Sequence, residues 1–73
     1  MESFDFHRTT VEEAEKRLWK IIDGVRLDNL PKEVSLVTGT GKVQEALLAI
    51  LKEQALIYHI PASNLGMIIV EIE

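Results

Sequence analysis

A chain of 73 residues with 47% hydrophobic and 27% charged residues suits one small domain, spanning residues 1–73, and is too apolar for intrinsic disorder. It contains no cysteine, which excludes a disulfide framework and a thiolate metal site. Its formal net charge of −4 works against nonspecific nucleic-acid binding, because such binding depends on the neutralisation of phosphates by cations.

The first predicted elements are a short strand and an amphipathic helix. Residues 3–7, Ser-Phe-Asp-Phe-His, alternate between polar and apolar, which predicts a strand with both phenylalanines on one face and Asp5 and His7 on the other. Thr10 and Glu13 have the spacing of a capping box, so a helix should begin there and end near residues 28–31. Apolar residues at three- and four-residue steps predict its buried stripe: Val11, Ala14, Leu18, Ile21, Ile22 and Val25.

The rest of the chain predicts a strand, a second helix and a closing hairpin. Val34–Val37 is a β-branched run typical of a buried strand. Residues from Lys42 onward are strong helix formers. Residues 56–60 and 67–72 are strand-like and flank a loop rich in turn formers. The apolar stripe of the second helix comprises Val43, Ala46, Leu47, Ile50 and Leu51.

The order β-α-β-α-β-β predicts an α/β fold in which strands joined through a helix run parallel and both helices cover one sheet face. The opposite face is then uncovered, although alternation places apolar residues on both faces of the second and fourth strands. Ile57, Met67 and Ile69, or their alternates, would be exposed in a monomer. Such a surface usually marks an interaction site, so we predict a homo-oligomer or a protein partner.

Candidate site residues follow the first two predicted strands, which end at His7 and Thr38. Ligands of open sheets bind beyond the carboxyl ends of parallel strands. If the two strands are adjacent, Asp5, His7 and Arg8 meet the loop that begins at Thr38. Asp5 and His7 can orient a water molecule or move a proton, since histidine titrates near neutral pH. The alternative is a solvated pair of surface side chains.

The loop itself, Thr38-Gly39-Thr40-Gly41-Lys42, has the features of a phosphate site. Its glycines can turn successive backbone amides inward as an anion nest at a helix start, and Lys42 adds a positive charge. The spacing matches neither a P-loop nor a Rossmann fingerprint. The alternative is that the two glycines only turn a strand into a helix.

A second basic cluster lies on the first helix, where Lys16, Arg17 and Lys20 surround Trp19. Such a cluster could hold a nucleic-acid backbone and stack a base. We favour the alternative of a solvated face, in which the helix's own glutamates pair with these cations and Trp19 covers an edge of the core.

The sequence carries no signature of a membrane segment, a metal or a cofactor. No apolar run reaches the roughly 20 residues that span a bilayer. The opening residues lack the regions of a secretory signal. His7 and His59 are far apart in sequence and have no paired carboxylates nearby, which predicts no metal site. We therefore expect a cytoplasmic protein without a membrane, metal or cofactor.

Short motifs along the chain resemble those of the small MutS-related (Smr) domain. Phe4-Asp5-Phe6-His7 resembles its Leu-Asp-Leu-His signature. Residues 10–14 are similar to the start of its first helix, residues 34–41 to its strand ending in His-Gly-x-Gly, and residues 66–72 to its closing strand. The chain is a short and divergent example: Arg8 replaces a glycine of the first motif, Thr38 replaces the histidine of the second, and two loops are shorter.

This resemblance implies two layers and a four-stranded mixed sheet, as in the C-terminal domain of translation initiation factor 3. It also implies nucleic-acid binding, to DNA or RNA, and cleavage in several members. The family's acidic and histidine positions fall on Asp5 and His7, and its glycine loop falls on Gly39 and Gly41.

We therefore expect a minimal nucleic-acid-binding module in which the loop of residues 38–42 and Arg8 hold a phosphate. Weak endonuclease activity by Asp5 and His7 is a further expectation, reduced by Thr38 at the family's histidine position. The alternative function is a non-catalytic protein-interaction module that dimerises, or docks on a larger assembly, through its open apolar sheet face.

Overall fold

Six elements follow one another in the predicted order in a computed structural model that describes all 73 residues. The helices are α1 (Val11–Asp28) and α2 (Lys42–Glu53), and the strands are β1 (Glu2–Asp5), β2 (Lys32–Val37), β3 (Ile57–His59) and β4 (Met67–Ile72). The order of elements is confirmed, and the differences concern strand ends. β1 stops before His7, β2 begins before Val34, and β3 is shorter than the predicted strand.

The four strands form one mixed sheet in the order β1-β2-β4-β3. β1 and β2 are parallel neighbours, with Asp5 beside Val37. β4 runs antiparallel to β2 on one side and to β3 on the other. The mixed sheet and the closing hairpin are therefore confirmed.

Helix α1 begins and ends where its capping residues predict. The Thr10 hydroxyl accepts a hydrogen bond from the Glu13 amide at 3.1 Å, which satisfies one of the free donors of the first turn. Asn29 takes a left-handed conformation with φ of 57°, and its amide donates to the Arg26 carbonyl. A residue in this conformation ends the helix ladder. Neither helix has the length and apolar character that crossing a bilayer requires.

One hydrophobic core joins both helices to the same face of the sheet. Its 14 buried side chains come from α1, α2, the two central strands β2 and β4, and the connections. The predicted stripe of α1 is buried at Ala14, Leu18, Ile22 and Val25, whereas Val11 and Ile21 are only half-buried. In α2 the buried members are Leu47, Ile50 and Leu51. Two layers with one uncovered sheet face are thus confirmed.

Trp19 packs against the edge of this core, as the favoured interpretation of the basic cluster predicted. The predicted ion pairs between the glutamates of α1 and the neighbouring cations do not form, so that part of the prediction is wrong. The single ion pair of the chain joins Lys32 to Glu2 at 2.9 Å, and it connects β2 to β1.

Candidate nucleic-acid site at the carboxyl edge

The carboxyl ends of β1 and β2 lie side by side. The Phe6 amide donates to the Val37 carbonyl at 2.8 Å, one residue beyond the paired Asp5 and Val37. The two chain segments that leave these strands therefore start next to each other, and each leads into a helix. We call the surface formed by residues 5–8 and 38–42 the carboxyl edge. It contains the residues that the sequence favoured for chemistry or phosphate binding, and the alternative basic cluster of α1 lies outside it.

β1 ends earlier than its alternating pattern predicts, because Asp5 makes a turn. An Asp5 carboxylate oxygen, Oδ1, accepts a hydrogen bond from the His7 amide at 2.7 Å, and the Phe6 carbonyl accepts from the Thr9 amide and hydroxyl at 3.3 and 2.8 Å. The prediction that Asp5 and His7 share a strand face is therefore wrong. His7 instead lies in an exposed turn that the Asp5 side chain holds in place.

Arg8 lies in this turn with φ of 61°, in the left-handed region that glycine adopts most easily. This is the position at which the motif that residues 4–8 resemble carries glycine. Arginine at this position adds a cation to an exposed part of the carboxyl edge.

A third cation, Arg17 of α1, also lies near this edge. Its guanidinium carbon is 4.6 Å from the centre of the Phe6 ring, and the ring is only 1% exposed. A cation at that distance from an aromatic face is attracted by the ring. Sequence reasoning assigned Arg17 to the solvated basic cluster. Arg17 lies in the second turn of α1, which follows the turn after β1 directly, so it stays near the end of β1.

The glycine loop has the backbone conformations that its sequence predicted. Gly39 and Gly41 have φ of 70° and 145°, which side chains disfavour. The amides of Thr38 and Gly39 both donate to the Gly66 carbonyl, at 2.8 and 2.9 Å. The Thr38 hydroxyl lies 2.7 Å from the Gly39 carbonyl and 3.2 Å from that of Gly66. These two amides are therefore not available to an anion.

Gly66 is a residue whose role sequence reasoning missed. A Cβ atom on Gly66 would lie 3.0 Å from the Gly39 Cα and 3.3 Å from the Gly39 nitrogen, which is closer than carbon atoms normally approach. A side chain at Gly66 would therefore require the Gly39 backbone to move by a few tenths of an ångström. The one signal in the sequence is the placement of Gly66 directly before the closing strand.

The remaining donors of the loop come from its second half and from the start of α2. The amides of Thr40 and Gly41 have no partner within the chain, and no side chain caps α2. The first amides of a helix lack intrahelical acceptors and attract anions. Lys42 lies exposed at the same point. By contrast, α1 is capped by Thr10 and has two acidic residues, Glu12 and Glu13, in its first turn, whereas the first turn of α2 has only Glu45.

The carboxyl edge is an exposed surface rather than a cavity. The three cavities of the structure, each about 420–450 Å³, lie elsewhere, where the second half of α1 meets β1, the start of β2 or the chain terminus. Val25 lines all three. Nowhere do three His, Asp or Glu side chains gather in a way that could hold a metal ion. The hydrogen bond and charge of Glu2 raise the pKa of Lys32, far from the carboxyl edge.

The fold is similar to that of the Smr domain of Thermus thermophilus MutS2. The crystal structure of that domain superposes with a TM-score of 0.83 and 19% sequence identity, over 100% of this chain and 99% of that one. No protein-family model and no curated protein sequence matches this chain. The chain therefore has the fold of an Smr domain, and the resemblance drawn from its short motifs is confirmed at the level of the fold. The roles of the individual site residues stay predictions.

Proposed function

We propose that this chain is a nucleic-acid-binding module that holds a backbone phosphate at its carboxyl edge. The observation that supports this function best is the uncapped start of α2. The unpartnered amides of Thr40 and Gly41 and the charge of Lys42 meet there, beside the turn that carries Arg8. Free amides and a cation together favour a phosphate group.

Two further features favour a polymeric ligand. The carboxyl edge is open to solvent, so a long chain can pass across it without entering a pocket. The cations Arg8, Arg17 and Lys42 lie at or next to this edge, so the local charge is more favourable than the net charge of −4. Because binding depends on these few cations, it should be weak, and its slope of log K against log salt should be shallow, since that slope is proportional to the number of phosphates neutralised.

The binding test removes one cation at a time from the carboxyl edge. Lys42→Ala and Arg8→Gly should each lower oligonucleotide affinity, and each should reduce the slope of log K against log salt by about 0.7 for single strands and 0.9 for duplexes. Glycine is chosen at Arg8 because the left-handed backbone suits it. Fluorescence anisotropy with labelled single-stranded and double-stranded DNA and RNA, titrated at several salt concentrations, measures both quantities.

Lys52→Ala is the matched control, because it removes the same charge from the last turn of the same helix. It should leave the salt slope unchanged. An equal loss of affinity in Lys52→Ala and Lys42→Ala would show that the binding is not at the carboxyl edge. Failure of every oligonucleotide to bind in low salt would overturn the proposed function.

We further propose that bound nucleic acid is hydrolysed slowly, with His7 as the general base. The imidazole accepts a proton from a water molecule whose oxygen attacks the phosphorus, the bond to the leaving oxygen breaks, and solvent supplies the proton that this oxygen takes up. Lys42 and the free amides stabilise the charge that develops on the phosphoryl oxygens. Thr38 at the position of the family's histidine leaves the reaction without a second imidazole, so the rate should be low.

His7→Ala should lower the cleavage rate about 100-fold, the usual contribution of a positioned general base, while oligonucleotide affinity stays the same. His59→Ala is the control, since His59 is an exposed histidine on the opposite edge strand. Asp5→Asn keeps an oxygen that can accept from the His7 amide, so it separates the charge of Asp5 from its turn-forming role. Gel-resolved cleavage of end-labelled oligonucleotides measures the rates, and equal rates for the two histidine variants would exclude His7 as the base.

A second function, protein docking through the uncovered sheet face, is supported by a different observation. Ile57 of β3 is 68% exposed on this face, and Val37, Met67 and Ile69 of the same face are only half-buried. An exposed apolar patch on a small domain favours an interaction surface.

A further inference from the structure

The uncovered sheet face has a definite chemical pattern. Alternate residues of β2 and β4 point into the core, so the residues between them point to the other side of the sheet. We call this surface the open face. Its apolar members are Val37, Ile57, Met67 and Ile69, its acidic members are Asp5, Glu33 and Glu71, and its other polar members are Ser3, Ser35 and His59.

The apolar members of the open face form one continuous patch. Val37 is directly opposite Met67 on the neighbouring strand, and Ile69 is next along β4 on the same face. Ile57 lies diagonally from Ile69, because its direct partner is Glu71. Side chains at direct and diagonal positions of neighbouring strands are close together. A single bound segment can therefore contact all four of them.

The charge of the open face is entirely negative. Asp5, Glu33 and Glu71 lie around the apolar patch and are exposed. All eight lysines and arginines of the chain lie on helices, on the turn after β1, or on the helix side of β2, where Lys32 pairs with Glu2. A partner that complements this face must therefore carry lysine or arginine side chains on both sides of a stripe of apolar residues.

The backbone of the sheet determines what kind of segment can lie on this face. The central strands β2 and β4 are paired on both sides, so the face offers side chains and no free backbone groups. A segment placed on it must satisfy its own amides and carbonyls, and an α-helix does so. We propose that the open face docks a cationic amphipathic helix of a partner protein, an inference that rests on the second function above.

A second copy of the chain is a poorer occupant. Two open faces brought together by a two-fold axis would place three carboxylates from each copy around the same apolar centre, with no lysine or arginine to balance them. Like charges placed close together disfavour such a pairing.

The test uses a synthetic amphipathic helix of about 18 residues, or five turns, with leucine on one face and lysine on the other. The same peptide with glutamate in place of lysine is the charge control. Isothermal titration should show that the lysine peptide binds and the glutamate peptide does not. Amide chemical shifts should change on β2 and β4.

Two double variants locate the binding. Glu33→Gln with Glu71→Gln should weaken the lysine peptide about tenfold, as expected for the loss of two surface charge pairs. Ile57→Ser with Ile69→Ser should weaken it at least as much. Asp23→Asn with Glu53→Gln, at exposed positions of α1 and α2, makes the same charge change on the other layer and should have no effect. All three double variants should bind oligonucleotides like the parent chain, which separates this test from that of the carboxyl edge.

Three results would overturn the inference. Equal binding of the lysine peptide to all three double variants would place it off the open face. Self-association that disappears in Ile57→Ser with Ile69→Ser would keep the face as an interaction surface and identify a second copy as its occupant. If the chain is a monomer and binds neither peptide, both this inference and the second function are wrong. The proposed nucleic-acid binding is not affected by that result.

Discussion

Phe6→Ala should destabilise the chain by about 3–5 kcal/mol, the usual cost of removing a buried phenylalanine ring. The ring is 1% exposed within the core. A chain of this length has about 4–11 kcal/mol of total stability, so the variant should be close to unfolding. Thermal unfolding followed by circular dichroism should show Tm lowered by more than about 12 °C.

Phe4→Ala is the matched comparison, because it removes the same ring from the same segment at a half-buried position. Its cost should be clearly smaller, since less apolar surface is returned to water. Equal losses in the two variants would show that the ring of Phe6 is not the anchor of this segment. Phe6 also carries the turn that presents His7 and Arg8. Phe6→Leu keeps these backbone contacts but removes the ring that attracts the Arg17 guanidinium, so it should weaken oligonucleotide binding while the chain stays folded.

Local signals of the sequence predicted the elements that depend on local chemistry. Thr10 capped α1 as its spacing with Glu13 indicated, and Asn29 ended that helix in a left-handed conformation. The positive φ of Gly39 and Gly41 followed from the need to turn a strand sharply into a helix. In each case the atoms that make the structure are only a few residues apart, so a short pattern contains the whole interaction.

The end of β1 could not be predicted in this way. The alternation of apolar and polar residues continues through His7, and the burial of Phe6 agrees with it. However, the alternating pattern predicts only the face to which each side chain points. It does not predict the hydrogen-bond partner of each backbone amide. Asp5 ends the strand because its carboxylate competes for the His7 amide. The sequence alone does not show whether this hydrogen bond forms or the strand continues. The outcome depends on where the neighbouring strand ends.

The candidate site was predictable to the extent that it depends on adjacent strand ends. Parallel neighbours put the turn after β1 beside the glycine loop, as the element order indicated. The loss of two loop amides to Gly66 was not predictable, because Gly66 is remote in sequence from Thr38 and Gly39. Long-range contacts of this kind leave no periodic pattern, and they determine which donors remain for a ligand.

Gly66→Ala should cost about 1–3 kcal/mol of unfolding free energy, as expected for an atom forced into a filled space. Its new methyl group would meet the Gly39 Cα at 3.0 Å. Because that contact is with backbone, no side chain can rotate away, and the loop must move. The amides of Thr38 and Gly39 should then lose their bonds to the Gly66 carbonyl. Urea unfolding and amide hydrogen exchange measure the two effects.

Gly24→Ala is the control for the simple addition of a methyl group. Gly24 is exposed within α1, and a Cβ there would meet no atom within 4 Å. Alanine favours the helix over glycine by about 0.5–1 kcal/mol, so this variant should be stabilised. The two substitutions thus have opposite expected signs although they add the same atom. Unchanged exchange of the Thr38 and Gly39 amides in Gly66→Ala would show that Gly66 does not hold the glycine loop, and the loop conformation would then need another cause.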